Sequence, residues 1–329
     1  MIAGLSLSAA GAPLIAFTIT FTSIWWLIRG NVLRVLDHPN PRSLHTVSVP
    51  RTGGLAIVLG VLISWAFLPG TLPLSVWLGV ALLALISFAD DISGLPALGR
   101  LLIHGLVAVW FSVALLLEAH GWMIAAIIAI STIWMINLYN FMDGSDGLAG
   151  GMTLVGFSCY GMTAWLAGNE LFAMINFCIA AAAAAFLLFN FHPARIFMGD
   201  AGAIPLGFLA AALGVTGWTN GLWPLWLPIL VFSPFIADAS VTLVKRTLHG
   251  EKIWQAHRDH YYQRIVQSGF GHRNTALLGY ILMFAAGISA VWAIRQDTAV
   301  QLGVGTAWGA FYLIMMLVSE RYLERRPGD

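Results

Sequence analysis

Apolar runs long enough to cross a bilayer follow one another along almost the whole chain. A hydrocarbon core takes about 20 apolar residues per helix. Runs of roughly that size occupy 5–28, 54–69, 73–89, 101–117, 121–139, 148–167, 171–190, 202–218, 222–244, 276–294 and 299–319, eleven in all. Backbone polar groups in lipid must bond to one another, so such runs fold as helices. The expected fold is an all-α integral membrane protein of about eleven transmembrane helices, a single polytopic domain over 1–329. Charged residues make up 9% of the chain, against about 25% in soluble domains, which excludes a water-soluble globule. The two cysteines, Cys159 and Cys178, lie inside apolar runs. That excludes a disulfide framework and a multi-Cys metal site. A net charge of +1 without a polybasic stripe argues against nucleic acid as a partner. The first run lacks a basic leader and is too long for a cleavable signal, so it is expected to stay as a helix.

Lys and Arg set the orientation. With the N-terminus outside and the C-terminus cytoplasmic, loops 29–53, 90–100, 140–147, 191–201, 245–275 and the tail 320–329 face the cytoplasm. They hold every Lys and Arg except Arg295. The acids sort the same way. Glu118, Glu170 and Asp297 fall outside, whereas Asp90, Asp91, Asp143, Asp146, Asp200 and Asp259 sit at cytoplasmic ends of runs. Hydropathy alone does not require this clustering. It predicts one active site, built from several inner loops.

Five segments carry chemistry. Asp90-Asp91 closes the third run. Adjacent carboxylates repel and are costly to desolvate alone; a cation relieves both problems, and oxygen ligands with retained water suit Mg²⁺. A solvated helix end is the simpler explanation. Asn137, Asn140, Asp143 and Asp146 recur every third residue, which sets four oxygen-bearing side chains along one ridge of a helix end. No bidentate Glu follows to make an EF-hand. In Phe197-Met198-Gly199-Asp200, Asp200 is either a helix cap or a further metal ligand, and Phe197 either packs or stacks on a nucleobase. In the longest loop His257, Arg258 and His260 suit a diphosphate, which Arg grips bidentately; two His are too few for Zn²⁺, and an amphipathic interfacial helix is the plainer alternative. Arg42, His45 and Arg51 add positive charge in the first inner loop, as any inner loop does.

Together these segments resemble the polyprenyl-phosphate N-acetylhexosamine-1-phosphate transferases, the superfamily of lipid-I synthase and of the enzymes that initiate O-antigen, enterobacterial common antigen and teichoic-acid linkage units. The matches are Arg42-Ser43-Leu44-His45 with Pro50-Arg51-Thr52-Gly53-Gly54, Asp90-Asp91, Asn137 to Gly147, Asn190 to Gly202, and His257 to Arg264, in the family's order. The His-Arg-x-His loop followed by Gln-Arg is most similar to the O-antigen-initiating branch. One departure is Gly94, where members often carry an acid. The resemblance implies that Asp90, Asp91 and Asp200 are catalytic and surround Mg²⁺, with Mn²⁺ a substitute and Asp143 a further ligand. It implies that Asn137, Asn140, Asp143 and Asp146 hold the UDP-N-acetylhexosamine, Phe197 stacks on uracil, and His257, Arg258 and His260 grip phosphates or sugar. Arg42, His45 and Arg51 would meet the lipid phosphate or nucleotide.

The implied reaction moves a sugar 1-phosphate to undecaprenyl phosphate and releases UMP, at the cytoplasmic face of the bacterial inner membrane. Lipid-I synthesis from UDP-muramoyl-pentapeptide is the alternative within the class. A transporter or lipid flippase is the rival outside it, although transport sites lie near the midplane and Asp238 is the main mid-run acid. The residues leave open the sugar, direct attack against a phosphoryl-enzyme, the role of Asp238, and whether the chain is a monomer or a homodimer.

Overall fold

A computed structural model describes residues 10–30, 35–37, 44, 48–70, 72–252 and 257–324, with the side chains of 322–324 outside that description. The helices are α1 (Ala12–Gly30), α2 (Gly53–Ala66), α3 (Leu74–Ser93), α4 (Ala97–Phe141), α5 (Leu148–Leu166), α6 (Glu170–Asn190), α7 (Asp200–Thr219), α8 (Trp226–Val231), α9 (Ser233–Leu248), α10 (Tyr261–Ile265), α11 (Gly271–Ala293) and α12 (Thr298–Glu324). Among the described residues seven helices are long and apolar enough to cross a membrane. The protein is an all-α multi-pass membrane protein.

The helices follow the apolar runs, with one break that hydropathy does not show. α4 has 45 residues, roughly 68 Å at 1.5 Å per residue, far beyond a bilayer core. It covers two runs because Gly121 turns the chain back at φ 77°, a backbone region open to glycine. Ile133 consequently lies opposite Gly105. The ninth run divides at Phe232 into α8 and α9. Pro234 enters the first turn of α9, and a proline lacks the N–H that would continue the preceding helix. The loop expected over 245–275 is half helical: α10 and a π turn (Val266–Phe270) lead directly into α11.

Alternate helices run in opposite directions, which gathers one set of ends at each pole. One pole collects the ends of α3, α6 and α9, both ends of α4, and the starts of α2, α5, α7 and α11. It holds every described Lys and Arg except Arg295. α7 is the central helix, buried on nearly all sides among α3, α4 and α2. Its first turn packs directly on α2: a side chain on Gly54 would collide with the backbone of Gly202. β1 (Leu36–Asp37) and β2 (Val49–Pro50) pair antiparallel and lead the chain into this contact. There the Phe197 N–H bonds the Pro50 carbonyl at 2.7 Å, and Gly53 and Gly54 bond the carbonyls of Phe197 and Met198 at 2.9 Å. At the opposite pole a cavity of about 500 Å³, lined by Leu72, Leu115, Asn169, Phe172, Thr216 and Asn220 among others, holds no titratable side chain.

Candidate active site

The last turn of α3 delivers Asp90 and Asp91. The helix stops at Gly94, whose left-handed backbone (φ 68°) returns its N–H to the Asp90 carbonyl. Neighbours on a helix point about 100° apart, so the two carboxylates part company. Asp90 accepts the Leu95 N–H at 2.5 Å and an Arg100 N–H at 2.9 Å. The same Arg100 nitrogen lies 3.3 Å from Asp200. Asp91 turns instead toward Arg51, which donates to its carbonyl at 2.6 Å and lies 3.4 Å from its carboxylate. Its other carboxylate oxygen, Oδ2, is buried without a hydrogen-bond partner.

Asp143 and Asp200 complete the cluster. Asp143 lies just past α4 and takes the Gly199 N–H; Asp200 opens α7 and meets the Asn140 amide; the Ala201 N–H points to Asp91. The first turn of a helix favours negative charge, and here three carboxylates gather around that of α7. Burial pushes the Asp143 carboxyl well above the usual carboxylate range, and the Asp200 and Asp91 charges push the same way. Asp37, on β1, adds to that repulsion.

The polar ridge that starts at Asn137 does not act as a unit. Asn137 spends its amide on the Ile133 carbonyl of its own helix at 2.7 Å. Asn140 and Asp143 enter the acidic cluster. Asp146 turns away to His192 Nδ1 at 2.6 Å and the Ala194 N–H at 3.1 Å, and His272 stands 4.0 Å from its other oxygen. Asn190 reinforces this join by accepting the Gly147 N–H and donating to the Ile196 carbonyl, both at 2.9 Å. Asp146 therefore ties loop 142–147 to loop 191–199. Phe197 is half-buried, its backbone fixed against Pro50 and Gly53. Arg42 and His45 lie outside the described residues.

His257, Arg258 and His260 form a separate group beside the cluster. The His257 and His260 rings are 4.9 Å apart, and His260 stacks on Phe141 at 5.9 Å. Tyr262 donates to the Phe141 carbonyl at 2.9 Å, which sets this segment against the turn that carries Asp143. Arg246 pairs with Asp259 and Glu251 and holds the loop from below. Burial, then His260 and Arg246, hold the His257 imidazole down at about 4. Arg258 is half-buried and makes no ion pair among the described residues.

The donor set fits a hard divalent cation. It is all oxygen, its members repel one another, and Asp91 Oδ2 lacks a partner. Among the described residues no three His, Cys, Asp or Glu side chains form a ready-made metal cage. Mg²⁺ needs none, because it is commonly bound through one or two carboxylates, substrate phosphates and water. Arg100 and His272 were not picked out from the sequence, and Asn190 and His192 entered only as part of a matching segment. Arg100 sits at the edge of an apolar run, and the His residues belong to different loops, so no local spacing joins them.

Helix ends that bring carboxylates, arginines and main-chain donors to one pole of a membrane bundle define a membrane protein built to handle anions. Residues 73–218 match the family model described as "Glycosyl transferase family 4". A Bacillus subtilis (strain 168) protein named "Probable undecaprenyl-phosphate N-acetylglucosaminyl 1-phosphate transferase" is 29% identical over 300 residues, covering 86% of this chain and 81% of that protein. A Mycobacterium leprae decaprenyl-phosphate N-acetylglucosaminephosphotransferase is 29% identical over 343 residues, 88% of this chain and 85% of its own. The Escherichia coli K12 undecaprenyl-phosphate alpha-N-acetylglucosaminyl 1-phosphate transferase is 25% identical over 304 residues, 84% of this chain and 81% of its own. These likenesses support the resemblance of its motifs to the polyprenyl-phosphate N-acetylhexosamine-1-phosphate transferase superfamily.

Proposed function

We propose that this protein transfers an N-acetylhexosamine 1-phosphate from a UDP-sugar to a polyprenyl phosphate, releasing UMP, at the cytoplasmic face of the bacterial inner membrane. The observation that carries this reading is the convergence of Asp91, Asp143 and Asp200 with Arg51 and Arg100 from four separate segments at one pole. The Lys and Arg bias toward that pole supports a cytoplasmic site, where a soluble sugar nucleotide and a lipid headgroup meet without either crossing the bilayer. The relatives' names support the polyprenyl phosphate acceptor and favour N-acetylglucosamine as the sugar.

Both substrates are anions, so the site must suppress their repulsion. One or two of Asp91, Asp143 and Asp200, with substrate phosphates and water, would hold Mg²⁺, with Asp90 kept on Arg100. The ion, when bound, would neutralise charge on the diphosphate and on the departing UMP. Arg258, which makes no ion pair among the described residues, is placed to take a phosphate oxygen, and His257 and His260 line the same side. The lipid phosphate is already nucleophilic near neutral pH. It attacks the sugar-linked phosphorus directly, a new P–O bond forms, and the bond from that phosphorus to the bridging oxygen breaks. UMP leaves with that oxygen, and no covalent enzyme intermediate is needed.

The test offers undecaprenyl phosphate and a panel of UDP-sugars to protein purified in nanodiscs. UMP release and a lipid-diphosphate product mass are expected with UDP-N-acetylglucosamine, stopped by EDTA and restored by Mg²⁺ or Mn²⁺. No UMP from any donor would overturn the reaction. Full turnover after thorough chelation would overturn the metal.

A further inference from the structure

Asp238 lies inside the ninth apolar run and is buried, where a carboxylate is costly unless fully satisfied. Its partners come mostly from outside its own helix. One oxygen accepts the Tyr261 N–H and the other the Tyr262 N–H, each at 2.9 Å. Thr242, one turn on, adds a hydroxyl at 3.2 Å, and His260 Nδ1 lies 3.4 Å away. His260 is the residue before α10 and makes no side-chain cap of its own. α10 has five residues, too few to hold a helix by themselves. Its leading N–H groups, orphans in any helix, are satisfied from α9.

We propose that Asp238 is a positioning residue, a latch that fixes where His257, Arg258 and His260 stand beside the acidic cluster. This rests on the transfer reaction proposed above. The latch has two sides. Asp238 holds the Tyr261 and Tyr262 backbone, and the Tyr262 hydroxyl reaches the Phe141 carbonyl at 2.9 Å, two residues before Asp143. A single short segment thus spans from a buried acid to the turn at the centre of the site. Asn in place of Asp238 offers one acceptor where two are used, and its NH₂ faces a second donor. One amide is orphaned and the segment loosens, without any change in a group that touches substrate.

The test compares wild type, Asp238→Asn, His260→Ala and the double variant in nanodiscs. Asp238→Asn is expected to raise the KM for UDP-sugar about tenfold, by more than it lowers kcat. In the double variant the two losses in kcat/KM are expected to combine to less than their product, since both changes act through one element. Multiplying losses, or an unchanged KM, would overturn the latch. Hydrogen exchange gives a readout that needs no turnover: the Tyr261 and Tyr262 amides are expected to be slow in wild type and fast in Asp238→Asn, with 74–93 unchanged. Exchange at those two amides in wild type as fast as at 249–252 would overturn the latch even where the variant does not fold. Absence of transfer by wild type counts against the reaction alone, and exchange then decides the latch.

Discussion

The acidic cluster and the His257–His260 segment lie side by side and are held in different ways. Asp91 and Asp200 ride on the ends of long helices, and Asp143 follows the end of another. Their positions come from packing, such as the contact of α2 with α7 at Gly54 and Gly202. The segment after α9 buries His260, Tyr261 and Tyr262, but its helix α10 has five residues and it leans on single polar contacts, from Asp238, Arg246 and Tyr262. On the proposed reaction, the groups that must be held with ångström precision beside a reacting phosphorus would be placed by the bundle, and the groups that grip a substrate by a strap that a few hydrogen bonds can tighten or release.

This contrast predicts a ranking of effects. Asp91→Asn, Asp143→Asn and Asp200→Asn are each expected to lower UMP release about 10³-fold, the scale of losing a principal electrostatic group, with yield and monodispersity unchanged. Asp90→Asn is expected to cost only about tenfold, because an Asn can still accept the Leu95 N–H. Equal losses at all four would erase the distinction between Asp90 and the rest. In the strap, Tyr262→Phe removes one hydrogen bond to the Phe141 carbonyl, worth about 1 kcal/mol. The KM for UDP-sugar should rise about fivefold with kcat nearly constant. A fall in kcat with constant KM would place Tyr262 with the reacting groups instead.

The smallest expected effect concerns pH. His257 is held at about 4, below its ordinary 6.5. The folded protein therefore binds this proton less tightly than the unfolded chain does. The stability it contributes is complete above about 6.5 and is lost as pH falls toward 4. Asp143, held high, acts in the opposite sense, so the effect is read as a difference: the melting temperature of wild type relative to His257→Asn is expected to fall by about 2–4 °C across that window. An identical pH profile in the variant would show that His257 is not the titrating group.

Much of the site was legible because its residues are chemically out of place. Aspartates at the ends of apolar runs stand out in any hydropathy reading, and Asp91, Asp143 and Asp200 do converge. Asp90 and Asp91 diverge, as adjacent side chains on a helix do: Asp90 meets Leu95 and Arg100, and through Arg100 it still borders Asp200. The even spacing of Asn137, Asn140, Asp143 and Asp146 also suggested more unity than exists. The helix ends at Phe141, so the ridge ends there, and Asp146 faces His192 across a different loop. His272 gave no local signal, because its partner Ser145 lies 127 residues away in sequence.

The chain by itself determined where the helices run, the pole at which charge gathers and the family it resembles, because lipid forbids unsatisfied backbone and leaves few places for carboxylates. Only the tertiary structure decided which oxygens face one another and that Asp238 bonds the backbone of Tyr261 and Tyr262. Those outcomes depend on contacts between residues from 23 to 100 positions apart, and such contacts leave no periodic trace in the sequence.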